Sequence, residues 1–182
     1  MDFSWSTDRV VASDKSSAVT AMFDVRAIAN FVLDEADLRK IEMSNMALNK
    51  IVYFVHCDFL FERSVPLMGA KIEAWQHGPV FRELYHEFKQ WNDLPIRSRA
   101  HKVDPHTGET VLARIVFASE DETFLRSLVE RYIAFSASQL RAMSHRDGGP
   151  WSRVWQHDGK ANAGMKIDNE LILEHYRPEV LQ

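Results

Sequence analysis

The chain has 182 residues, 46% hydrophobic and 26% charged, with a formal net charge of −4. This composition fits one domain with a real core and argues against a strongly basic nucleic-acid binder. The single cysteine, Cys57, excludes an internal disulfide framework and a multi-Cys zinc site, which points to a reducing compartment.

Residues 1–20 mix serine with charge, show no period and lack an apolar signal core, so they read as a flexible N-terminal arm ahead of a single domain over 21–182. No run approaches the roughly 18 apolar residues of a membrane span. A soluble, cytoplasmic protein is expected. From Asp24, an N-cap residue, the apolar positions Val25, Ile28, Val32 and Leu33 recur at helical spacing. Ser44 opens a second helix to about residue 62, with Leu48, Ile51, Val52, Val55 and Phe59 on one face. Phe54 and Phe61 lie off that stripe, as in a central helix buried on two sides.

Pro66 and Gly69 end the helical pattern, and 71–75 alternates like a short strand. Gly78 is expected to turn the chain, and Pro79 to take the first position of a helix carrying Leu84, Phe88 and Trp91. Residues 97–102 and 110–117 read as a hairpin around the turn formers Asp104-Pro105-His106-Thr107-Gly108. Ser119 with Glu122, and Ser136 with Gln139, form two expected capping boxes. Pro150-Trp151 starts another short helix, and Asp168 caps a last one. The fold class expected is mainly α (α+β): a compact multi-helix domain with a small β-hairpin and short strands.

Little in the sequence announces catalysis. Eight histidines include no i,i+4 pair and no HExxH, although His77 with His86, or His145 with a distant carboxylate, could converge. Cys57 sits in an apolar helical run, where packing is the better reading. Glu83 falls on a solvated helical position and Glu73 precedes Trp75, so both read as structural rather than as an acid/base pair. No catalytic residue, metal site or cofactor is assigned. A metal-dependent hydrolase ranks last, and stoichiometric zinc or manganese would revive it. The basic residues Arg97, Arg99, His101, Lys102 and Arg114 around the hairpin support a winged-helix transcriptional regulator as the second reading. Without a basic recognition helix, DNA ranks below a protein partner.

Three blocks carry a family resemblance. Leu48-Asn49-Lys50-Ile51-Val52-Tyr53-Phe54 is similar to a helical LxKLLYF signature. Ile72-Glu73-Ala74-Trp75, continuing through Gly78-Pro79-Val80 to Tyr85, is similar to EAWxxGPVxxxxY. Ser136 to Leu140, then Ser144-His145 and Pro150-Trp151, is similar to SxxxLxxxTHxxxPW, with Ser144 where threonine is usual. In this order they resemble the Panacea-domain antitoxins of the SocA-like type. The resemblance implies a non-enzymatic antitoxin that binds and neutralises a toxin protein encoded beside it. In the SocA type it also implies a proteolytic adaptor that delivers the toxin to ClpXP. The matching positions Lys50, Tyr53, Glu73, Trp75, Gly78, Pro79, Val80, Tyr85, His145, Pro150 and Trp151 are expected to be mostly structural. Partner contacts are expected at Arg82, His86, Arg97, Arg99 and Arg114.

Overall fold

The computed structural model describes residues 22–155 and 165–178; the expected arm over 1–20 lies outside them. Helix α1 (Val25–Leu38) begins where Asp24 accepts a hydrogen bond from the Arg26 amide at 2.8 Å. Helix α2 (Asn45–Arg63) is capped by Ser44, which accepts from the Ala47 amide, and it stops where Ser64 turns left-handed at φ 58°. Between Asn45 and Leu60 nearly every α2 side chain is buried. That is why its apolar residues run round the helix instead of keeping to one face.

The rest of the fold wraps α2. Helices α3 (Arg82–Phe88), α4 (Ser119–Tyr132), α5 (Ala137–Ser144) and α7 (Asn169–His175) all touch it, as does α1. The short α6 (Pro150–Val154) packs on α7. Strands β1 (Ile72–Trp75), β2 (Gly78–Phe81) and β5 (Lys166–Ile167) form an antiparallel sheet in the order β2-β1-β5. Strands β3 (His101–Val103) and β4 (Thr110–Leu112) make a separate ribbon. Among the described residues the protein is thus mainly helical with a few short antiparallel strands, as its periodicity indicates.

Three local expectations are overturned. Pro79 lies in strand β2, opposite Ala74, and the helix starts only at Arg82. Gly78 closes a two-residue turn at φ 101°, and an edge strand tolerates a residue without an N–H as readily as a first helical turn does. Ser119 is the first helical residue of α4, so Ala118 occupies the cap and no Ser119–Glu122 box forms. Glu120, Asp121 and Glu122 instead place negative charge at the positive end of the helix. The ribbon is also shorter than expected. The segments flanking it are held by Asn30, whose amide nitrogen donates to Ala100 O (2.9 Å) and Ala113 O (2.8 Å) and whose oxygen accepts from the Ala100 amide. By contrast, Ser136 and Gln139 form the expected capping box, Pro150 opens α6, and Asp168 caps α7 by accepting from the Leu171 amide.

Candidate functional site

Strand β2 is an edge of its sheet, and α2 covers that edge. Antiparallel alternation turns the backbone groups of Pro79 and Phe81 away from β1. There the Lys50 ammonium donates to Pro79 O at 2.8 Å, and Asn49 Oδ1 accepts from the Phe81 amide at 3.1 Å. Asn49 is itself held by Asn45, one helical turn earlier, through Nδ2 donating to Asn45 Oδ1 at 2.9 Å. Buried polar groups must be paired, and these side chains pair the strand's outward backbone groups. Lys50 is 1% exposed. Burial, with Arg141 adding like charge, pulls its ammonium down to about 7.

The other end of the turn is fastened by α5 and α6. The Trp151 indole donates to Trp75 O at 2.8 Å. His145 Nδ1 faces Arg141 O at 2.7 Å and its Nε2 faces Gln76 O at 3.3 Å, so the ring bridges α5 to the β1–β2 turn. His145 and Trp151 rings lie 3.8 Å apart between centroids. Pro150 starts α6 and so sets the position of Trp151. Within β1 the Trp75 indole donates to Glu73 Oε2 at 2.9 Å, and Lys71 to its other oxygen. Burial alone would raise the Glu73 carboxyl, but these two donors outweigh it and leave it below the usual carboxylate range.

The structure therefore gathers Lys50, Glu73, Trp75, Gly78, Pro79, His145, Pro150 and Trp151 around one turn. Val80 is buried on β2, and Tyr85 projects from α3 to meet Trp75 edge-to-face at 4.9 Å. Tyr53 packs edge-on against Phe54 and lines a small cavity with Ser144 and Pro150, and its hydroxyl is raised well above its usual value by burial. Cys57 is fully buried, its thiol pushed up by burial.

Of the five basic positions, Arg99 and Arg114 line one groove beside α1. Arg82 and His86 are exposed on α3. Arg97 pairs with Glu42, while Arg99 pairs with both Asp34 and Asp37 on α1. Arg114 is exposed, past the end of β4.

Two features escape sequence reading. Asn45 and Asn49, at i and i+4 inside an apolar run, are the visible but unread signal of a covered strand edge. The second is a buried cluster: Asp58 accepts from the Tyr132 hydroxyl (2.8 Å), the Tyr176 hydroxyl (2.5 Å) and Arg131 (3.0 Å). Arg131 also reaches Glu62. Both tyrosine hydroxyls are raised by burial and by the neighbouring negative charge. Among the described residues no group of three or more His, Cys, Asp or Glu side chains could hold a metal ion, and no helix is long and apolar enough to cross a membrane.

A central helix clasping an edge hairpin, with His145 and Trp151 locking its turn, brings the three sequence blocks into one assembly. The chain belongs to the antitoxin SocA-like family, Panacea domain, whose model matches residues 48–152. It is 35% identical over 159 residues to Antitoxin SocA of Caulobacter vibrioides (strain NA1000 / CB15N), covering 85% of this chain and 82% of that protein. No solved structure matches it.

Proposed function

We propose that this protein is the antitoxin of a toxin–antitoxin pair, acting in the cytoplasm by binding its toxin and without catalysing a reaction. The observation that carries this reading is the extended similarity to Antitoxin SocA, which takes in all three blocks around the β1–β2 turn. The mechanism is occlusion of the toxin, coupled to its delivery to the ClpXP protease. An adaptor of that kind raises the effective concentration of its substrate at the protease without any new chemistry. The chemistry of the turn agrees with a binding role. Glu73 is held ionised by two donors, His145 is held between backbone carbonyls, and Cys57 is sealed in the core, so none is poised as acid, base or nucleophile.

The DNA-binding reading loses ground, because Arg97 and Arg99 are committed to carboxylates and contribute little net positive charge. The test is genetic and direct. The neighbouring gene expressed alone should arrest growth, and co-expression with this chain should restore it. Growth that is unaffected by the neighbour, or unrescued by this chain, refutes the antitoxin reading. A pulse-chase with and without ClpXP then decides delivery: a toxin lifetime that does not depend on the protease removes the adaptor mechanism.

A further inference from the structure

Between the β1–β2 turn, the start of α2 and helix α3 lies an open groove of about 600 Å³. Trp75 and Tyr85 supply its aromatic surface, Lys50 and Lys89 its basic groups, and Asp93 is the one carboxylate in its lining. Lys50 uses one N–H on Pro79 O, and none of the described carboxylates pairs with it. Holding a strand carbonyl requires a donor but no charge. A buried ammonium is a costly donor, and it is best explained by an anion that completes it.

We propose that this groove receives an acidic segment of the partner toxin, with a carboxylate pairing with Lys50 and an adjoining apolar side chain laid against Trp75 and Tyr85. This rests on the antitoxin reading and adds to it the place and chemistry of toxin recognition. Charge complementarity selects the occupant: two lysines face one carboxylate, so a peptide bearing Asp or Glu gains what a basic or neutral one does not. The aromatic pair is already set edge-to-face at 4.9 Å. Such a wall offers apolar contact area with little side-chain freedom to lose. The volume lies within the range of about 300–1,000 Å³ typical of ligand sites. Lys89 and Tyr85 are exposed and so accessible to the arriving chain.

The test is calorimetric titration of the full-length chain with the protein encoded beside it. Lys50→Met, Lys89→Glu and Tyr85→Ala should each weaken binding at least tenfold, and Arg114→Ala, away from the groove, should not. Circular dichroism checks that each variant folds. Because Lys89 and Tyr85 are exposed, their variants report on the groove independently of any effect of Lys50→Met on stability. Replacing the toxin's acidic residues one at a time by amides should find a position that costs tenfold against the wild type and nothing further against Lys50→Met. Unaltered affinity in both Lys89→Glu and Tyr85→Ala overturns the groove but leaves the antitoxin reading standing. Absence of any binding to the wild-type chain overturns the reading itself, and the groove with it.

Discussion

Lys50→Met separates the charge of Lys50 from its length. The methionine fills nearly the same space beside Gly78 and Ser144 but carries no charge and donates nothing to Pro79 O. From its ordinary value of 10.5 the ammonium falls to about 7 in the folded chain. At about 1.36 kcal/mol for each pH unit, burying it charged costs about 5 kcal/mol. The hydrogen bond to Pro79 O returns about 1–2 kcal/mol of this. The folded value is the depressed one, so the unfolded chain binds the extra proton between pH 7 and 10.5. Stability linked to Lys50 is therefore complete above 10.5 and lost as the pH falls through about 7. In the absence of toxin, Lys50→Met should thus be more stable than the wild type at pH 6, by about 3–4 kcal/mol, with the advantage shrinking to zero or reversing by pH 10. Urea denaturation followed by tryptophan fluorescence at several pH values measures this. The comparison must be a difference between the two proteins, because Cys57 and the buried tyrosines, all raised by burial, lower the stability of both at alkaline pH. A variant destabilised equally at pH 6 and pH 10 would refute the reasoning, since the lysine would then act as a donor alone.

Other perturbations test the frame around the turn. Gly78→Ala forces a side chain onto φ 101° and places its Cβ 2.5 Å from Ser144 Oγ and 2.8 Å from Lys50 Cε. A loss of about 2–4 kcal/mol is expected in urea, and removing the Ser144 hydroxyl as well should recover only part of it, because the backbone strain remains. Tyr176→Phe leaves Asp58 short of one donor in a fully buried setting. A loss of about 1–3 kcal/mol and a lower Tm should follow, and an unchanged midpoint would mean that water replaces the hydroxyl. His56 is lowered by burial, so its contribution should fade as the pH drops below 6.5. His56→Asn should flatten the acid limb of the stability curve, measured as the Tm between pH 5 and 7. Ser136→Ala removes a complete capping box and should cost about 1 kcal/mol by the same urea titration.

The parts of this fold that could be read in advance are those fixed within a few residues. Asp24, Ser44, Ser136 and Asp168 each cap a helix through an amide two or three positions away, so their spacing is sufficient. Pro79 misled because proline suits both a first helical turn and an edge strand. The choice between them depends on Lys50 and Asn49, about thirty residues upstream. Strand β5 was not anticipated, since two residues carry no period and exist as a strand only by pairing with β1. The basic hairpin read as a charged surface because Asp34, Asp37 and Glu42, which neutralise Arg97 and Arg99, lie far away in sequence. Similarity between blocks located the candidate site. Its groove emerges only where α2, the turn and α3 meet.

The Asp58 cluster ties the order of synthesis to the completion of the fold. Its carboxylate lies in the central helix, yet its donors arrive from Tyr132 and then Tyr176, the second 118 residues further along the chain. A growing polypeptide that has already made α2 must keep this acid hydrated until Tyr176 has left the ribosome. Until then, among the described residues, only Arg131 and Tyr132 donate to it. The same latch loses the Tyr176 hydroxyl when α7 detaches, which leaves the Asp58 carboxylate one donor short among aromatic rings. Detachment of Tyr176 is thereby transmitted directly to the middle of the molecule.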